Sequence, residues 1–171
     1  MGNGDIQQLE HRRGSIAQEI LAVQLPAYRV EAELIGTDSI PALRDTVESI
    51  GRSEECFVGY RDKETERLLG VISYDIEPES GSHPERVSIN RLVVHPEHFR
   101  KGIGRDLLSY VMGREALNRC MEVHTGAKNA PAIQLYRQHG FVEAERLEVE
   151  PGLWLVRLER SIEDPANGTD T

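Results

Sequence analysis

The chain lacks any apolar run approaching the ~20 residues that span a bilayer. Its first residues, Met1 to Arg13, lack the apolar stretch of a secretion signal. Residue 6 is Ile, so the glycine at position 2 does not open a myristoylation motif. Cysteine is scarce: Cys56 and Cys120 stand in apolar, strand-like contexts and read as reduced core thiols, which leaves no disulfide framework. Positive charge is in deficit, 20 Lys and Arg against 29 Asp and Glu, and a net charge of −9 argues against a nucleic-acid-binding face. An acidic balance suits a cationic partner, although such balances mostly serve solubility. His95, His98 and His124 have no cysteine or carboxylate at ligand spacing, so no metal site is expected. These absences point to a cytoplasmic chain with neither a membrane nor a nucleic acid as its partner.

What is present fits one domain, since 171 residues suffice for a single sizeable core. Residues 1–14 and 161–171 are polar and are expected to fray, leaving a domain over 15–160. Ile16, Ile20, Leu21 and Val23 recur at helical spacing, with Ser15 as N-cap and Pro26 as terminator. Ile40, Leu43, Val47 and Ile50 predict a second helix ending at Gly51. Cys56–Tyr60 and Leu68–Ile76 read as a hairpin, and Val87–Val94 as a further strand. Ile103, Leu107, Leu108, Val111 and Met112 form one helical stripe, most simply a core face. A short strand at 121–125, a helix over 129–139 and two closing strands complete the order. The fold class is α+β, a mixed, mostly antiparallel sheet flanked by helices.

The densest signal lies in 89–108, Ile-Asn-Arg-Leu-Val-Val-His-Pro-Glu-His-Phe-Arg-Lys-Gly-Ile-Gly-Arg-Asp-Leu-Leu. A buried strand runs into a tight glycine loop and then into an amphipathic helix, which aims main-chain N–H groups at one spot beside the positive end of a helix. Gly102 and Gly104 permit close approach, and Arg100, Lys101 and Arg105 surround it with cations. The pattern is neither a P-loop nor a dinucleotide fingerprint, because Leu107 stands where the latter needs glycine. It reads as an anion cradle for a pyrophosphate.

A second segment, 125–141, carries Asn129 and Tyr136. Two helical turns bring them to one face about 10 Å apart. A tyrosine hydroxyl placed there can give a proton to a leaving thiolate, and an asparagine can bond an extended amide chain. The bland alternative is an asparagine cap and a core tyrosine packed on Phe141.

The two segments, in this order, resemble the GCN5-related N-acetyltransferase (GNAT) superfamily, over roughly residues 15–159. The resemblance implies a sheet whose strands part to accept acyl-CoA, with the cradle holding the pyrophosphate of acetyl-CoA through Arg100, Lys101, Gly102, Ile103, Gly104 and Arg105. It implies that main-chain groups of Leu92, Val93 and Val94 pair with the pantetheine arm and acetyl carbonyl, with the Val94 N–H as oxyanion donor. Asn129, Ala132 and Tyr136 line the same arm, and Tyr136 is the general acid. The expected activity is acetyl transfer to a primary amine of a small molecule or peptide, with a homodimer through the closing strands possible. Two positions depart from the family pattern: Phe99 replaces a usual Arg or Gln, and Ser88 stands where a strand Glu often serves as base. Glu85, Glu31, Glu33, His124 or a water chain remain for that task, and Glu31 and Glu33 gain weight as acceptor-binding groups. The missing Glu also favours a competing reading, a non-catalytic acyl-CoA-binding module.

Overall fold

A seven-stranded mixed sheet organises the computed structural model, which describes residues 3–162. In chain order the elements are β1 (Gly4–Gln8), α1 (Gly14–Ile35), a 3-10 turn (Pro41–Arg44), α2 (Val47–Arg52), β2 (Cys56–Asp62), β3 (Leu68–Glu77), β4 (Arg86–Val94), a second 3-10 turn (Pro96–His98), α3 (Ile103–Glu115), β5 (Cys120–Gly126), α4 (Ala130–Gln138), β6 (Val142–Glu150) and β7 (Leu153–Arg160). The strands lie in the order β1-β2-β3-β4-β5-β7-β6, and only β4 and β5 run parallel. This is the α+β mixed sheet that the sequence predicts.

Burial on both faces makes β3 the spine, with every residue from Leu68 to Tyr74 buried. On one side Ile103, Leu107, Leu108 and Val111 of α3 meet Ile72, Val87, Ile89, Met121, Val156 and Leu158 of the sheet. On the other, Ile20, Val23 and Tyr28 of α1 and Ile50 of α2 meet Phe57, Val71 and Val93. A bulge in β4 reconciles the two layers. Tyr74 pairs with Ile89 and Ser73 with Arg91, so Asn90 is the extra residue. It reverses the alternation of side chains. Val87 and Ile89 before it, and Leu92 and Val94 after it, all reach the α3 side, whereas Arg91 and Val93 turn towards α1.

Three expectations are corrected. The polar N-terminal segment is not frayed over 4–8: β1 pairs with β2 along its whole length, Ile6 opposite Tyr60. An edge strand draws on main-chain bonds and two apolar anchors, Ile6 and the buried Leu9, so it needs no apolar run. Helix α1 begins at Gly14 with Arg13 as its N-cap, and it passes through Pro26 to Ile35. The lost bond and ring clash cost about 3 kcal/mol. Burying Tyr28 and Ile35 beyond the proline returns roughly 1.5–3 kcal/mol each, so burial wins. Finally, the helix expected over 40–51 is two pieces. Thr46 and Ser49 cap α2 reciprocally, and Asp45 is drawn out of helical geometry towards Arg91. The tail expected to fray lies outside the described residues from 163 onward.

Candidate active site

The glycine loop forms an uncapped helix start. Gly102 is the N-cap of α3 in the left-handed region (φ 79), with no side chain to bond the first turn. Asp106 donates back to the Gly102 carbonyl, which leaves the N–H groups of Ile103, Gly104 and Arg105 without an intrahelical acceptor. A left-handed residue followed by a right-handed one turns successive N–H groups to the same side, an anion-binding concavity. Arg100 is also left-handed (φ 63), an uncommon conformation for a side-chain-bearing residue. Lys101 donates to Nδ1 of His98 at 3.1 Å, and His98 is pushed towards its neutral form by burial and then by Lys101 and Arg67.

Beside this loop β4 has a free edge. It pairs with β5 only from Arg86 to Ile89, while β5 from His124 to Gly126 pairs with β7 alone. The His95 N–H donates to Leu69 on β3 at 2.8 Å, and strand alternation therefore turns the main-chain groups of Val94 and Leu92 to the open side. Val93, grouped with them in the sequence analysis, turns its carbonyl towards Gly70 of β3 instead. A Cβ at Gly104 would lie 3.6 Å from Leu135 and 3.8 Å from Val94, so the open end of β4, the start of α3 and the flank of α4 converge there.

At the start of α4 stands a cluster that sequence reading only half anticipated. Asn129 is the N-cap of α4: its Oδ1 accepts from the Ala132 N–H, and its Nδ2 donates to Oε1 of Glu31, both at 3.3 Å. Glu31, 98 positions earlier in the chain, reaches that point because α1 continues past Pro26. Its carboxyl is pushed upward by burial, which the Asn129 bond only partly opposes. Tyr136 is buried with its ring 5.3 Å from Phe141, so the core-packing role is real. Burial, and after it the charge of Glu31, holds the Tyr136 hydroxyl protonated well above its ordinary range. The buried Tyr28 responds to the same two influences, moderated by Arg91.

The other candidate acids stand apart. Glu33 is exposed, diverging from Glu31 as two residues two apart on a helix must. Glu85 is bonded to Arg119, and the exposed His124 lies 4.0 Å from Glu122, itself paired with Arg86 and Arg157. A second buried network escaped sequence reading. Arg91, turned to the α1 side by the bulge, bonds Asp45 at 2.9 Å, Glu55 at 2.8 Å and Ser73 at 3.2 Å, with its guanidinium over Phe57. The fully buried Gln24 also donates to Asp45. Burial alone would raise both carboxyls. Bonds from Arg91, Gln24 and Ser49 to Asp45, and from Ser53, Arg91 and Ser73 to Glu55, bring them below the ordinary range.

Among the described residues no group of histidine, cysteine and acidic side chains is placed to hold a metal, and no helix is long and apolar enough to cross a membrane.

Comparison with known proteins bears on the fold and the family. The chain is 48% identical over 150 residues to the UPF0157 protein YqkA of Bacillus subtilis, an alignment covering 88% of this chain and 41% of YqkA. It therefore spans less than half of that relative's length. Among solved structures, an N-acetyltransferase from Staphylococcus aureus Mu50 superposes with a TM-score of 0.70 at 18% identity, over 95% of this chain and all (100%) of the other. The ribosomal-protein-S18-alanine N-acetyltransferase of Escherichia coli gives 0.69 at 15% identity over 98% and 99%. YncA of Salmonella typhimurium, solved with its cofactor acetyl-CoA, gives 0.67 at 18% identity over 99% and 100%. These likenesses carry the fold. Residues 17–141, which include the cradle, the open edge of β4 and α4, match the model of the acetyltransferase (GNAT) family, and the chain belongs to that family.

Proposed function

We propose that this chain is an acetyl-CoA-dependent N-acetyltransferase that moves an acetyl group onto a primary amine by direct attack on the thioester. The observation that carries this reading is the free edge of β4, with Val94 and Leu92 facing outward, set against the uncapped start of α3. An extended amide arm pairs with such an edge as a strand would, and a pyrophosphate takes the free N–H groups of Ile103, Gly104 and Arg105 with Arg100 and Lys101 around it. On this reading Asn129, Ala132 and Tyr136 line the arm from α4. The working unit is the domain over 15–160, with β1 completing its sheet.

The chain's groups then divide the chemistry. The Val94 N–H donates to the carbonyl oxygen as it becomes an oxyanion, and needs no special side chain to do so. Tyr136, held protonated, gives its proton to the departing sulfur. Glu31, on the last turns of α1, receives the cationic acceptor. The exposed Glu33, on the diverging flank of the helix, adds only to the negative field that draws it in, in keeping with the acidic net charge. The exposed Leu147, Val149 and Trp154 of β6 and β7 support self-association along that edge, which sedimentation decides.

A thermal-shift titration with acetyl-CoA, CoA and ATP in parallel tests the reading. At about 100 times Kd, one-site binding adds about 2.7 kcal/mol. Stabilisation by both CoA species and not by ATP is expected, and no shift with either CoA species overturns the proposal. In an acetyl-transfer assay, Tyr136→Phe is expected to lose about 10²-fold in kcat with acetyl-CoA affinity retained. Unchanged turnover in that variant removes Tyr136 from the mechanism.

A further inference from the structure

Glu31 is a half-buried carboxylate with no cation of its own among the described residues; its one side-chain bond comes from the neutral amide of Asn129. The contrast with the molecule's other enclosed acids is sharp. Asp45 and Glu55 share Arg91, Glu122 lies between Arg86 and Arg157, and Glu115 meets Arg119. Helix ends do not settle the charge on Glu31. It approaches the negative end of α1, whose last turn holds no basic residue, while its bond to Asn129 brings it to the positive start of α4. A desolvated carboxylate without a counter-charge is costly, and a bound cation offsets that cost.

Its surroundings specify what kind of cation. The carboxylate touches the cap of α4, the helix that the acetyltransferase reading sets along the acyl arm, and its charge acts on the Tyr136 and Tyr28 hydroxyls. Phenol hydroxyls and an amide around a carboxylate suit a compact ammonium, which donates to carboxylate and phenol oxygens alike. The groups facing Glu31 are Tyr28 from α1 and Asn129 and Tyr136 from α4, with Arg91 of β4 acting on Tyr28.

Resting on the acetyltransferase reading above, we propose that Glu31 is both the docking point of the acceptor and its general base, so that the acceptor binds as a primary ammonium and loses one proton to this carboxylate. The step balances. R–NH3⁺ gives a proton to Glu31 and becomes R–NH2. The nitrogen forms a bond to the thioester carbon while the carbonyl electrons move to oxygen. Collapse re-forms the carbonyl, breaks the C–S bond and sheds the second nitrogen proton, and Tyr136 protonates the thiolate. The proton shed by nitrogen restores Tyr136, and that on Glu31 leaves to solvent, so each turnover releases one proton. The shortage of a strand carboxylate at Ser88 is made good from α1.

The test uses the full chain with spermidine, tyramine and a short peptide bearing a free N-terminal alanine as probes. Binding of each probe to the preformed CoA complex is measured by calorimetry, alongside acetyl transfer and acetyl-CoA affinity. Glu31→Gln is expected to keep acetyl-CoA affinity, to weaken the best probe at least tenfold, and to lose about 10²-fold in kcat/KM. It should also abolish the acid-side fall of the pH profile, while Glu31→Asp retains that limb at reduced rate. Glu64→Gln, in the β2–β3 turn, should match the parent. Equal probe affinity in parent and Glu31→Gln, or an acid limb that survives in the latter, overturns the role of Glu31. Acetyl-CoA binding without transfer to any probe in the parent instead overturns the acetyltransferase reading, and the calorimetric arm then still decides whether Glu31 binds ammonium.

Discussion

Two sets of enclosed carboxylates lie on the α1 side of the sheet, and the molecule treats them oppositely. Asp45 and Glu55 are saturated: one guanidinium serves both, Ser49, Ser53, Ser73 and Gln24 supply further donors, and both acids are held ionised. Glu31 has a single weak neutral donor, and burial favours its protonated form. The first set ties the 3-10 turn and α2 to β3 and β4. It is architecture, with its charge cancelled internally. The second is left short of positive charge beside the cap of α4, the condition in which a carboxylate binds a cation or moves a proton.

The most damaging way to break this contrast is to remove the shared cation. Arg91→Met leaves Asp45 and Glu55 enclosed and uncompensated, and chemical denaturation at neutral pH should show a loss of about 3–5 kcal/mol. A loss below about 1 kcal/mol would mean that the network does not hold these elements together. Next in size is the pH dependence of that difference. Carboxylates with lowered native pKa contribute stability above their unfolded pKa of about 4 and lose it as pH falls through the native value. The gap between parent and Arg91→Met should therefore narrow on acidification, and a constant gap would show that packing on Phe57 dominates. The smallest effect has the opposite sign. A raised native pKa makes Glu31 stabilising only at low pH, and that stability is lost as pH rises through the native value. Glu31→Gln should then melt slightly above the parent at pH about 8 and alongside it at pH about 4, measured by calorimetry. A lower melting point at pH about 8 would assign Glu31 to the architecture as well.

Much of this was legible in the sequence because it rests on local pattern. The α3 stripe, the β2–β3 hairpin and the glycine loop follow from spacing and from the backbone freedom of Gly102, and all three stand in the structure. What escaped rests on contacts between distant segments. Strand β1 has one apolar residue, Ile6, and owes its form to the edge of β2. Pro26 marks a helix end only when nothing beyond it needs burying, and Tyr28 and Ile35 do. Arg91 reads as a polar interruption in an apolar strand until the bulge turns it to Asp45 and Glu55. Glu31 and Glu33 are equivalent on paper, and only the approach of Asn129 separates them.

Asn90 gives β4 two reading frames. Up to Ile89 the odd-numbered residues enter the layer under α3, and from Arg91 onward they enter the layer under α1. The single unpaired position is therefore a punctuation mark, and its presence matters more than its side chain, which makes one exposed bond to Asp75. Were Asn90 paired in a regular ladder, the same composition would turn a guanidinium into the apolar layer and empty its place between two acids. One residue of excess length thus lets one short strand be hydrocarbon wall, ionic anchor and open ledge in succession.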